Sequence, residues 1–232
     1  MKKLITIIIF VAIGVFLILS QKKPQENQNI IQQNDEQKQS STTTSQTAPS
    51  PIDSQTQQTP PLSENPSTLS LPISNALARV TKKPFGIYIT PQNSPVNPEK
   101  FKGYHTGVDF ETTPEEQDTD VPIYAICTGE LLVKKTSTGY GGVVVQKCNV
   151  NNQAVTVIYG HLKLASIQTK VNQEIKAGDV FAILGKGFSS ETSGERKHLH
   201  LGIHKGSTIN ILGYVQNQSE LSAWLNILDL LK

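Results

Sequence analysis

Cysteine, methionine and tryptophan are nearly missing from this chain of 232 residues, at two, one and one. So little cysteine excludes a disulfide-stapled mini-domain and any cysteine-rich metal cluster. The two cysteines, Cys127 and Cys148, lie far from the start, which excludes lipid attachment behind an N-terminal leader. Only two of the sixteen glycines, Gly14 and Gly86, fall in the first hundred residues. Aromatic residues are absent between Phe16 and Phe85. These gaps exclude one domain over the whole length, because a core needs bulky apolar groups and a tight fold needs glycine turns. Charge of one sign is lacking too: 21 basic against 19 acidic residues leave a formal +2. No clustered basic face supports nucleic-acid binding.

The first segment, residues 1–20, is a nearly unbroken apolar run from Leu4 to Leu19, interrupted only by Thr6 and Gly14, behind Lys2 and Lys3, with Lys22, Lys23 and Pro24 following. At ~1.5 Å per residue it is roughly 24 Å long, and Ser20 and snorkelling lysines extend it toward the ~30 Å of a hydrocarbon core. It reads as an export signal or anchor lying in the membrane through residues 4–20. No Ala-x-Ala pattern follows, and Ile18-Leu19-Ser20 is a poor cleavage site, so the expectation is an uncleaved anchor with the rest of the chain outside. Cleavage would instead release a secreted protein. From Gln21 to Ser70 six of fifty residues are apolar. Such a stretch cannot bury enough surface to offset its ordering entropy, so residues 21–83 read as a disordered Gln/Ser/Thr/Pro-rich linker with roughly 45 Å of reach.

Residues 84–232 have a different texture. Short runs rich in Val, Ile and Tyr alternate with Gly, Asn and Asp turns: 86–90, 121–126, 130–135, 142–148, 154–159, 180–184 and 198–203. This pattern predicts an all-β domain, an antiparallel sandwich or barrel. Leu221, Trp224, Leu225, Leu228 and Leu231 fall at helical spacing behind Ser219, a candidate N-cap, and predict a C-terminal helix packed as a lid. Cys127 and Cys148 fall on consecutive strands and face one another if the hairpin turns near Ser137 and Thr138, which predicts a disulfide in an exported domain.

All five histidines lie between His105 and His204. In His198-Leu199-His200-Leu201-Gly202-Ile203-His204 the alternation puts His198, His200 and His204 on one face of a strand and the aliphatic residues on the other. His105-Thr106-Gly107-Val108-Asp109 adds an imidazole and a carboxylate, both good zinc donors, and His161 directly follows the strand 154–159. Imidazole with carboxylate suits zinc better than hard cations, which prefer oxygen shells. His204 has no partner in these motifs and reads as structural or close to substrate.

The HTGVD, YGH and HLH motifs, in this order within a glycine-rich β domain, resemble the lysostaphin-type (LytM-like) zinc endopeptidases of metallopeptidase family twenty-three. The resemblance spans roughly residues 83–205. It implies a fold of the duplicated hybrid motif type and one Zn2+ per chain held by His105, Asp109 and His200. His161 and His198 would be the catalytic pair, with His198 nearer the water and His161 on the oxyanion side. Peptide crosslinks of bacterial peptidoglycan would be the substrate, and no small-molecule cofactor is called for. A tyrosine often assists in this family, and Tyr104 and Tyr140 are the candidates. The resemblance also places the anchor in the bacterial cytoplasmic membrane with the domain in the cell envelope. The rival expectation is a catalytically silent relative that binds and activates another wall hydrolase. The chain departs from the family in lacking the usual Asp-Pro segment near its end, at Trp224-Leu225-Asn226-Ile227-Leu228.

Overall fold

The computed structural model of the protein describes residues 69–231. Its strands are β1 (Tyr88–Ile89), β2 (Gly103–His105), β3 (Gly107–Glu111), β4 (Pro122–Tyr124), β5 (Gly129–Ser137) and β6 (Gly141–Val150). They continue with β7 (Gln153–Gly160), β8 (Glu174–Ile175), β9 (Val180–Ile183), β10 (His198–Lys205), β11 (Tyr214–Val215) and β12 (Trp224–Leu225). The main sheet runs β12-β10-β7-β6-β5-β8, with β3 beside the first half of β10 and β12 beside its second half. A three-stranded sheet, β1-β2-β11, and the pair β4-β9 flank it.

All the strand pairs are antiparallel, as the turn-rich sequence predicts. A closed barrel does not form among the described residues. The outer strands β8 and β12 are two residues long and pair on one side only, so the sheet stays open.

Both faces of the sheet are covered, which explains the unalternating Val143-Val144-Val145 run in β6: all three are buried. Val144, Tyr159, Leu199 and Leu201 point into the main core, together with Val108 and Phe110 of β3. Val143, Val145 and Ile158 point the other way and form a second cluster with Tyr140 and Trp224. The histidines of β10 project on this second side. Gln146 is fully buried and ties the turn before β5 to the sheet: its amide donates to the Cys127 carbonyl at 2.8 Å and its carbonyl accepts from the Tyr159 hydroxyl at 3.0 Å. Cys127, just ahead of β5, and Cys148 on β6 are joined as a disulfide with their Cα atoms 6.1 Å apart.

Two expectations are corrected. The C-terminal segment is not one helix. It is a 3-10 helix (Gln218–Ala223), the strand β12, and a one-turn helix α1 (Ile227–Leu230). Trp224 and Leu225 pair with His204 and Ile203, so the free edge of β10 outcompetes helix propagation there. The first turn is capped by Asn217 with Glu220, not by Ser219. Trp224 is buried, as a lid residue should be.

The linker also ends earlier than residue 83. Residues 69–83 are packed on the domain: Ile73 and Ala76 are 1% and 0% exposed, and Ser70 N–H donates to the Ile126 carbonyl at 2.8 Å. Buried Arg79 binds both oxygens of Glu116 at 2.6 and 2.8 Å. A few apolar residues suffice here because they cover a core that already exists. The expected anchor at residues 1–20 and the linker up to residue 68 lie outside the described residues. Among the described residues no helix is long and apolar enough to cross a membrane.

Ile73→Ala should lower stability by about 2–5 kcal/mol in denaturant unfolding, the cost of a cavity at a core isoleucine. A silent substitution would return this segment to the linker.

Candidate metal centre

The β3–β10 register builds the site. Asp109 lies opposite His200 and Glu111 opposite His198, so alternate residues of two neighbouring strands meet on one face. Gly107 clears the space between them: a Cβ there would approach the His200 ring to 2.8 Å. On the other side of β10, His200 faces Gly160, and a side chain at that position would run into the Tyr140 ring. His105 ends β2 and reaches the same point.

Three ligand atoms converge. His105 Nε2 lies 3.0 Å from His200 Nδ1 and 3.3 Å from Asp109 Oδ1, and His200 Nδ1 lies 3.1 Å from the same oxygen. All three side chains are buried. Donors about 2.0–2.1 Å from a tetrahedral zinc ion stand about 3.3–3.4 Å from one another, so this triangle is close to one face of such a site.

The hydrogen bonds on the outer nitrogens agree. His105 Nδ1 is 3.2 Å from the Pro84 carbonyl, an acceptor, which assigns the ring proton to Nδ1 and the lone pair to Nε2. His200 Nε2 is 3.3 Å from the Tyr140 hydroxyl, which can accept its proton and so leave the Nδ1 lone pair inward. Lone pairs from two imidazoles and a carboxylate packed this closely repel one another unless a cation or shared protons stand among them. The residues therefore fit a zinc ion, and they are the three that the motifs predict.

His161 and His198 flank this triangle. Their ring centroids are 4.3 Å apart, and both rings line a cavity of about 310 Å³ together with Tyr140, Arg196 and Tyr214. His161 leaves β7 with φ +64, in the left-handed region that non-glycine residues rarely occupy, as strained backbone at functional sites often does. Its Nδ1 and the Arg196 Nη1 are buried with no hydrogen-bond partner among the described residues. Both residues line the cavity, while a third such atom, His204 Nδ1, lies away from it. His198 Nδ1 donates to the Arg196 carbonyl at 2.9 Å, which turns Nε2 toward Asp109 Oδ2, 3.3 Å away.

Burial sets the protonation states. It pushes His161 well below the usual histidine range, with the neighbouring His198 adding to the effect. Burial likewise pulls His200 down to about 4, against the opposing pull of Asp109. Burial works to raise the Asp109 carboxyl, but the imidazoles of His198 and His105 outweigh it and hold the group well below the ordinary range. The anion is thus kept charged and two of the imidazoles neutral, the forms a metal ligand and a proton acceptor need.

The tyrosine question resolves toward Tyr140. Tyr104 packs at a tilt against Tyr88 outside the cavity, whereas the Tyr140 hydroxyl touches His200. His204 stands apart from the triangle, with its ring against Trp224 at 4.9 Å. Four residues join the site without having been singled out in the sequence. Arg196 and Glu111 continue the period-two faces of His198–His200 and of Asp109, a signal that was present in the spacing. Lys83 and Tyr214 had no local signal: Lys83 Nζ donates to the Tyr214 hydroxyl at 3.1 Å across 131 residues and pairs with buried Glu99.

Residues 103–211 match the profile of Peptidase family M23. No curated protein sequence matches the chain. Among solved structures, the catalytic domain of the antimicrobial peptidase lysostaphin from Staphylococcus simulans is similar at 22% identity, covering 67% of this chain and 94% of that one, with a TM-score of 0.45. LytU is similar at 25% identity over 64% of this chain and 80% of its own, with a TM-score of 0.43. A chain of the SpoIIQ-SpoIIIAH pore forming complex is similar at 17% identity over 72% and 93%, with a TM-score of 0.46. The matched segment, a little under half of the chain, contains all five residues of the triangle and its flanking pair, so the likeness to peptidase family M23 falls on the site itself.

Proposed function

We propose that the protein is an exported zinc metalloendopeptidase that hydrolyses peptide crosslinks of bacterial peptidoglycan. The observation that carries this reading is the convergence of His105, Asp109 and His200 beside two further buried imidazoles in one cavity. A zinc ion held there would supply Lewis acidity and bring the deprotonation of water to about neutral pH.

The chain's own groups supply the proton handling. His161, kept neutral by burial, lines the cavity and accepts or donates a proton through its imidazole. His198 holds its Nδ1 proton on the Arg196 carbonyl and is free to work only through Nε2. A positioned imidazole contributes typically ~10²–10⁴-fold to such a reaction. Tyr140 stays protonated, since burial and the nearby Asp109 push its hydroxyl upward, and it fixes the orientation of His200. The cavity opens between the strand face and the segment Ile211–Tyr214, a cleft suited to an extended peptide. In this reading residues 1–20 anchor the chain in the cytoplasmic membrane and the domain works in the cell envelope.

His200→Ala and Asp109→Ala should lose zinc and hydrolysis together. His198→Ala should keep zinc, measured by metal analysis, and lose at least ~10²-fold in release of crosslinked peptides from purified peptidoglycan. Loss of the metal in His198→Ala would overturn the ligand assignment. One zinc per chain with no peptide released would favour the silent wall-binding factor.

Stability should also follow pH. Between about 6.5 and 4 the unfolded chain takes up a proton at His200 that the folded protein refuses, so acid favours unfolding. The Tm of the metal-free protein should fall steadily as the pH is lowered through that window. A flat profile would contradict the buried neutral imidazole.

A further inference from the structure

We propose that Arg196 and Glu111 form a positioning device that makes Asp109 a single-oxygen ligand; the inference rests on the zinc reading above. The two oxygens of Asp109 have separate surroundings. Oδ1 faces His105 Nε2 at 3.3 Å and His200 Nδ1 at 3.1 Å. Oδ2 is turned away and accepts from Arg196 Nη2 at 2.9 Å, with His198 Nε2 at 3.3 Å. A carboxylate with both oxygens free can rotate and chelate a cation with the pair. Here the second oxygen is already engaged by a charge-assisted hydrogen bond, so only Oδ1 remains to point at the triangle.

Arg196 can hold that oxygen because it is itself held. Its Nε donates to both Glu111 oxygens, at 3.0 and 2.9 Å, and its Nη2 contacts Glu111 Oε1 as well as Asp109. The side chains of Arg196, Glu111 and Asp109 are only 13%, 10% and 3% exposed, so these contacts are little screened. Strand pairing places the carboxylates, alternate residues of β3, and Arg196 comes from the connection two residues before His198 opens β10. The guanidinium bridges two carboxylates on one side of the sheet with a planar fork, which a lysine ammonium cannot do. Removing it would leave Glu111 with only the exposed Lys82 ammonium, 3.3 Å away, and would free Asp109 to turn.

The consequence lies in the coordination number. Two imidazoles and one carboxylate oxygen leave a fourth tetrahedral position open, whereas a chelating carboxylate crowds it. Arg196 and Glu111 therefore act through Asp109 and touch neither metal nor substrate by this role.

The test uses the full chain of Arg196→Gln, Arg196→Lys and Glu111→Gln, with zinc affinity measured by chelator competition. Co2+ is then loaded in place of zinc, because four-coordinate cobalt absorbs visible light more strongly than five- or six-coordinate cobalt. Arg196→Gln should bind zinc about 10–100-fold more weakly and lose cobalt absorption. Arg196→Lys should resemble it, and Glu111→Gln should shift both readouts the same way by less. Thermal melting of the metal-free variants separates these effects from unfolding. Wild-type affinity and an unchanged cobalt spectrum in Arg196→Gln would overturn the inference, as would tighter zinc binding. If Arg196→Gln does not fold, unchanged readouts in Glu111→Gln overturn it instead. A wild-type chain that binds no zinc would sink the functional reading first, and this inference with it.

Discussion

Every group in the cleft depends on the backbone ladder that sets His200 opposite Asp109 on one side of β10 and Gly160 on the other. Hydrogen-bonded pairing fixes which residues are neighbours to within a fraction of a residue, and side-chain period fixes which face they take. Once Leu199 and Leu201 are committed to the main core, His198 and His200 have nowhere to point but the opposite face. Apolar burial on one side of the strand thus enforces the chemistry on the other. The site needs no separate scaffold.

That arrangement places several titratable groups in a poorly hydrated volume, where their mutual interactions are strong. The carboxylate of Asp109 is surrounded by three imidazoles and a guanidinium, and it stays ionised although burial opposes it. The cationic balance is spread over the cluster: Glu111 answers Arg196, and Glu99 answers Lys83. Each charge is met by a partner set on a different element, so the strands of the two sheets are linked electrostatically around the cleft. The segment ahead of β1 takes part as well, through the Pro84 carbonyl on His105 and the Lys83 carbonyl that accepts from Asp109 N–H at 3.0 Å.

The parts legible in the sequence were those governed by local periodicity. The strands β6, β7 and β10 follow their valine-rich or alternating runs closely, and the family resemblance of the histidine and aspartate motifs pointed to the three residues that the structure brings together. Where tertiary contacts decide, local pattern misled. The spacing from Leu221 to Leu231 suits a helix, yet the unpaired edge of β10 captured Trp224 and Leu225. Residues 69–83 were grouped with the linker although seven of the fifteen are apolar, a local signal of the packing that Ile73 and Ala76 show. The Lys83–Glu99–Tyr214 group is assembled from three distant stretches, so no window on the sequence brings it together. Arg196 and Glu111 are different: they lie two residues before His198 and two after Asp109, so the period that groups the histidines and the aspartate extends to them.

The two-residue repeat of β10 also sets how this domain can vary. Deleting or inserting one residue within the strand would exchange the imidazoles for leucines and turn the charged set into the core, a frameshift in three dimensions. The connections on either side of it, from Gly185 to Glu195 and from Gly206 to Gly213, carry no such frame, and they form part of the wall of the same cleft. Their lengths and residues are open to change while the strand interior is not. Diversification of what enters the cleft is therefore a matter of loop grafting around a fixed reading frame.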